Sequence, residues 1–108
     1  MAIASAIYGP ICDAIQRGAV RVTEHATEAM RDDGITMDGV FGATSAGEVI
    51  EDYATDFPYP SCLVLGQASD GGTMHSVWAF NGMTKTAILV TCYRPDPDRW
   101  IDFRVRKP

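Results

Sequence analysis

Cysteine is scarce in this chain, and what there is makes no pattern. Cys12, Cys62 and Cys92 are odd in number, with no CxxC pair and no metal-type spacing. That argues against a disulfide framework and for free thiols in a reducing compartment, with the cytoplasm as the expected location. Long apolar runs are also missing. Nothing approaches the ~18 residues that a membrane-spanning helix needs. The apolar N-terminal stretch MAIASAIYGPICDAIQRG lacks a basic lead and is broken by Gly9, Pro10 and Asp13, so neither a signal peptide nor a membrane partner is expected. The sequence contains no internal repeat and no low-complexity tract. Histidine occurs only twice, at His25 and His75, which confines imidazole acid–base chemistry to two places.

What is present fits one compact domain covering residues 1–108, large enough to bury most of its apolar surface without disulfides or metals. The net charge of −5 conceals an asymmetry. Residues 1–56 hold ten acids against three bases, whereas residues 57–108 hold four acids against six bases. The basic end carries Arg94, Arg99, Arg104, Arg106 and Lys107. It is the part of the chain suited to meet phosphates, although a merely solvated surface would read the same way.

Residues 3–17 place Ile7, Ile11, Ala14 and Ile15 at helical spacing, with Pro10 bending or starting a first helix that stops at Gly18. Val20 and Val22 flank Arg21 in one short strand. Thr23 then caps a second helix that runs to about Asp33 and ends at Gly34. Thr36 caps a short third helix carrying Met37, Val40 and Phe41, and residues 42–47 read as a connector. From Glu48 the period becomes two, giving long strands over residues 48–53, 63–67, 74–80 and 86–93. Between the first two of these, Pro58 and Pro60 stiffen a presented loop over residues 52–61. The segments SDGG and NG suit hairpin turns. After them, Asp96-Pro97-Asp98 opens a short terminal helix or turn holding Trp100. Helices first and strands second predict an α+β fold, an antiparallel four-stranded sheet with the N-terminal helices packed on one face. An edge of such a sheet needs cover, from a second copy in a homodimer or from a partner segment.

His25 stands in the first turn of the second helix with Glu28 on its face, either as a neutral base or as a packed or capping histidine. His75 shares a strand face with Val77 and Ala79, while Met74, Ser76, Trp78 and Phe80 point the other way. If the Trp78 face packs on the helices, His75 lies on the open face, where an acid or base could meet a ligand; the alternative is a buried, hydrogen-bonded histidine. Tyr93 and Arg94 fall on opposite faces of the last strand. Arg94, Arg104 and Arg106 have the bidentate geometry that suits phosphate oxygens. Glu51, Asp52 and Asp56 form a carboxylate cluster whose spacing matches no metal loop, so no metal or other cofactor is expected.

Taken together, His25 opening a helix, GEVIEDY, FPYPSCLVLG, His75 in an apolar strand and TCYRPDPDRW before a basic tail resemble the bacterial and archaeal family catalogued as domain of unknown function 4258. The resemblance spans roughly residues 22–107 and leaves the helix of residues 1–18 outside. It implies a RelE-like and ParE-like toxin fold, in some members MqsR-like and encoded beside a zinc-finger antitoxin, and with it metal-independent cleavage of single-stranded RNA by 2′-hydroxyl attack. On that reading His75, Tyr93 and His25 are the acid–base groups, and Arg31, Lys85, Arg94, Arg104 and Arg106 are the phosphate-binding candidates. The partners implied are RNA and a cognate antitoxin. The acidity of the chain points instead to a non-catalytic RelE-like module that binds a protein through its acidic half and the loop over residues 53–59. A hydrolytic enzyme acting on another substrate on the same sheet is the third reading. Ribonuclease chemistry requires at least two of His25, His75 and Tyr93 to converge on one open cleft with an Arg or Lys within phosphate reach, and fails if they point into separate packed regions.

Overall fold

The computed structural model describes residues 3–108. Its elements run α1 (Tyr8–Arg17), β1 (Val20–Val22), α2 (Glu24–Asp33), α3 (Met37–Ser45), β2 (Glu48–Tyr53), β3 (Ser61–Gln67), β4 (Thr73–Asn81), β5 (Thr86–Tyr93), β6 (Trp100–Ile101) and β7 (Val105–Arg106). The helix boundaries follow from their caps. Thr23 and Thr36 accept the backbone N–H of Ala26 and Gly39, each at 3.0 Å, while Gly18 and Gly34 close α1 and α2 in the left-handed conformation. Pro10 lies in the first turn of α1, where its missing N–H costs no helical bond, so it starts the helix rather than bending it.

Three expectations are corrected. The sheet is five-stranded and mixed, in the order β1-β5-β4-β3-β2, because Val20–Val22 adds to β5 in parallel register. The α3 helix continues through the small residues to Ser45 instead of giving way to a connector at residue 42. The C-terminal segment does turn over residues 96–99, with the Arg99 N–H donating to the Asp96 carbonyl at 2.9 Å, but Trp100 lies beyond that turn in a second, two-stranded sheet, β6 against β7.

The helices cover one sheet face over Val49, Cys62, Val64, Met74, Trp78, Phe80, Ala87, Leu89 and Cys92. At its centre the Trp78 indole N–H reaches the hydroxyls of Thr44 at 3.0 Å and Ser76 at 3.1 Å, and the Thr44 hydroxyl donates to the Val40 carbonyl at 2.7 Å. The buried polar atoms of this layer are thereby satisfied. The C-terminal hairpin covers the opposite face, where Trp100 and Phe103 pack with Ile50, Tyr53, Leu63, Leu65 and Val77. On the outer edge of β2 the Ile3 N–H donates to the Val49 carbonyl at 3.0 Å, so the chain's own N-terminal segment blunts part of that edge. No helix among the described residues is long and apolar enough to cross a membrane.

Two β-bulges decide which side chains share a face. The β2–β3 register skips at Ile50, which turns Glu51 and Tyr53 away from the helices although regular alternation would keep them with Val49. The β4–β5 register skips at Val90, so Leu89 packs under the helices with Trp78 while Thr91 pairs with Val77 on the other side.

The α3 helix approaches β3 closely at Gly66. A Cβ placed there would lie 2.2 Å from the Ala43 carbonyl oxygen, closer than any packing allows. Gly66→Ala is expected to destabilise the fold by about 1–3 kcal/mol, read as a lower urea midpoint at unchanged slope. An unchanged midpoint would show that α3 can move off the sheet freely.

Candidate functional site

The β4–β5 register places His75 directly opposite Tyr93, and the two side chains meet on the face away from the helices. The Phe103 carbonyl can only accept, so the His75 ring carries its proton on Nε2 and donates it to that oxygen across 2.7 Å. Nδ1 is left as the acceptor for the Tyr93 hydroxyl, 3.2 Å away. The Trp100 ring stands edge-on to the imidazole, centroids 4.5 Å apart, and the Arg106 guanidinium lies 4.7 Å above the Trp100 ring centre. Arg106 also donates to Glu51 at 3.1 Å, and the Tyr53 hydroxyl donates to the same carboxylate. Five polar side chains, His75, Tyr93, Glu51, Tyr53 and Arg106, are thus gathered around one indole.

Their electrostatics follow from this enclosure. Burial lowers the pKa of His75 against the opposing pull of the Phe103 carbonyl and Glu51. Burial raises Tyr93, and raises Tyr53 with help from its bond to Glu51. The Glu51 partnership pushes the pKa of Arg106 further up. At neutral pH the cluster therefore holds a neutral imidazole between two protonated phenols and one compensated ion pair.

His75 is 0% exposed. The Trp78 face does pack on the helices, but the opposite face is covered, because the terminal hairpin takes the place of open solvent. Neither His75 nor Tyr93 lines the clefts of about 470 Å³ beside Gly47 and Arg104 or about 320 Å³ beside Arg99 and Lys107. Of the readings open for His75, the structure delivers the buried and hydrogen-bonded one in this conformation.

The remaining candidates disperse. His25 is exposed on α2, with Arg31 on the same helix, and α2 packs on the other side of the sheet. Lys85 sits in the turn before β5, eight residues from Tyr93 along an extended strand, or about 25 Å. Arg94 braces β5 against α2 and the β3–β4 turn, its Nε donating to the Asp33 carbonyl at 3.1 Å and its Nη2 to Asp70 at 3.0 Å. Arg104 pairs from the hairpin to Glu48 on β2. Of the arginines read as phosphate ligands, Arg94, Arg104 and Arg106 are in this state ligands of carboxylates. Cys62 and Cys92 are buried free thiols, pushed up to about 12 and about 11 by desolvation, and hence poor nucleophiles.

Sequence reasoning did not bring Glu51 and Tyr53 to this site. Both were assigned to the acidic segment and its loop, and the Ile50 bulge that turns them toward His75 leaves no mark in the residue types. Trp100 was placed in a turn and not as the cover of His75.

A family model described as a domain of unknown function (DUF4258) matches residues 22–94. The match begins at β1, as the resemblance suggests, and ends at Arg94, short of residue 107, so the hairpin with Trp100, Arg104 and Arg106 lies beyond it. No curated protein and no solved structure matches the chain.

The depressed His75 pKa fixes a pH dependence. Unfolded, the group titrates near its ordinary 6.5; folded, it titrates lower. The unfolded chain therefore takes up protons first as pH falls through 6.5, and stability that is complete above that value is lost below it. Of the groups facing the ring, Tyr93 from β5, Tyr53 from β2 and Arg106 from β7 keep one charge state through this range; Glu51 from β2 is the fourth. The urea midpoint is expected to fall between about pH 7 and 5.5 in the native chain and to fall less in His75→Gln, which retains a donor for the Phe103 carbonyl. Parallel declines in both would remove His75 as the source.

Proposed function

The chain belongs to the DUF4258 family, and from that premise we propose that it is a metal-independent endoribonuclease of the toxin class, held here in a closed state. The observation that carries the reading is the His75–Tyr93 contact at 3.2 Å beneath the Trp100 indole on which the Arg106 guanidinium stacks, an acid–base pair and a cation gathered on one sheet face. His25 has no part in it, being across the sheet.

The covering hairpin is small and strained. Asp102 and Phe103 at its tip both hold positive φ, 51° and 59°, at a cost of order 1–2 kcal/mol per residue. Its exposed ion pairs add little. Burial of Trp100 and the His75–Phe103 bond do most of the holding, which makes opening a local event well short of global unfolding. Once the hairpin lifts, Nε2 loses its carbonyl acceptor, and the ring can shift its proton to Nδ1 and donate to the Tyr93 oxygen. The free Nε2 then takes the proton of a 2′-hydroxyl as that oxygen bonds to phosphorus. The P–O5′ bond breaks, and the leaving oxygen takes the Tyr93 hydroxyl proton, which Nδ1–H replaces. The ring returns to the tautomer of the closed state, so the proton account balances without a metal. Arg106 sits on β7 of the lifting hairpin, so once released from Glu51 it serves the phosphoryl charge only where that hairpin lies back against the bound strand. A toxin of this kind would be restrained by a cognate antitoxin.

A second reading is favoured by the complete burial of His75 and the paired arginines, namely a non-catalytic module that binds a protein partner. Its surface would be the end of the sheet where Phe57 and Met83, 91% and 96% exposed, stand on loops joined by the Asn81–Tyr59 and Phe80–Pro60 hydrogen bonds. Tyr53, assigned to that surface from sequence, lies instead in the His75 cluster.

The two readings separate in one assay. Purified protein is incubated with mixed single-stranded RNA and EDTA beside His75→Gln and Tyr93→Phe, both of which retain the packing volume. Ribonuclease chemistry predicts cleavage by the native chain and a loss of about 10²–10⁴-fold in His75→Gln. Equal cleavage in all three, or none with any, would end the catalytic reading.

A further inference from the structure

Lys107 donates its backbone N–H to the Arg99 carbonyl at 2.9 Å, which continues the β6–β7 ladder one pair beyond Trp100 and Arg106. Two cations therefore stand opposite each other on adjacent strands, an arrangement that destabilises a ladder unless an anion lies near. In contrast to Arg94, Arg104 and Arg106, neither Arg99 nor Lys107 is ion-paired among the described residues. Both line a cleft of about 320 Å³ with Arg106, Trp100, Asp98 and Pro108. Arg106 is neutralised by Glu51 and Asp98 contributes one carboxylate, so the side chains of the cleft retain one net positive charge in a chain that is acidic as a whole.

We infer that this cleft is a phosphodiester-binding site for single-stranded nucleic acid. A planar guanidinium that can grip two oxygens faces a mobile ammonium, the complementary pair for one phosphate and its neighbour. The single strand is favoured over the duplex because a duplex concentrates one charge per ~1.7 Å, which the net −5 of this chain would repel while the cleft offers only local compensation. With the indole face occupied by Arg106, the site holds backbone and not bases, so it is indifferent to sequence. The inference builds on the reading of the domain as acting on RNA, but it concerns where the strand lands and not whether it is cut. It also draws the strand onto the same hairpin that seals His75.

The test uses a fluorescein-labelled oligodeoxythymidine, which has no 2′-hydroxyl and cannot be cleaved by the proposed route, with affinity read by anisotropy across a salt series. Arg99→Gln/Lys107→Gln is expected to weaken binding at least tenfold at low salt and to make the log–log salt slope shallower by about 1.4, the change for two single-strand phosphate contacts. Arg17→Gln/Arg21→Gln, which removes two cations elsewhere, should change neither by a comparable amount. Equal affinity in the two double variants, or no binding by the native chain, would overturn the site. Because the probe is inert, binding that depends on Arg99 and Lys107 while RNA stays intact would sink the ribonuclease and leave the site standing; cleavage with binding insensitive to these residues would do the reverse.

Discussion

A sheet whose middle strands bury both faces has to be covered twice, and that constraint shapes this chain. Along β3 every residue from Ser61 to Gly66 is buried, and β4 is buried at most positions. Three helices satisfy one side. On the other side the chain has only its last residues to offer, folded into a hairpin with two-residue strands. Trp100 supplies apolar area, and the His75–Phe103 hydrogen bond supplies a directed attachment, since a buried imidazole without an acceptor would cost about 1–3 kcal/mol. The bond also fixes the tautomer, and through it the Tyr93 contact. The polar cluster and the closure of the second face are therefore one arrangement.

The division of charge along the sequence has its explanation in the same place. The basic tail folds back onto the acidic half of the chain: Arg104 reaches Glu48, Arg106 reaches Glu51, and Arg94 at the end of β5 spans to Asp33 and Asp70. Much of an asymmetry that looks directed outward is spent internally, in exposed pairs that each contribute little to stability but orient the hairpin over β2. Arg99 and Lys107 are the tail cations left over.

Most of the local structure was legible because it rests on short-range chemistry. The caps at Thr23, Thr36, Gly18 and Gly34 set helix ends to within a residue, and period-two patterning found β2 to β5 with boundaries close to those observed. The family resemblance was legible in the motifs, and the match over residues 22–94 bears out its family level. The rest depended on geometry that residue types do not encode. Three residues of β1 carry no sign of pairing parallel to a strand more than sixty positions later. The bulges at Ile50 and Val90 reverse face assignments without any Gly or Pro to mark them. The C-terminal hairpin turns through Asp-Phe, both at positive φ, where Asn-Gly would have announced it. That hairpin was the decisive omission, because it converts His75 from an exposed group on an open face into a sealed one.

The Val90 bulge has a meaning apart from face assignment. Were Val90 absent, Leu89 and Thr91 would be neighbours and would still face opposite sides, so the residue is surplus to the alternation of β5. Its carbonyl nonetheless accepts the Thr23 hydroxyl at 2.9 Å, while the preceding carbonyl of Leu89 accepts the Thr23 N–H at 3.1 Å. The same hydroxyl oxygen receives the Ala26 N–H and so starts α2. One inserted residue thereby serves as a mooring for the helix that follows β1, joining the first strand of the sheet to its parallel neighbour through a threonine rather than through the ladder alone.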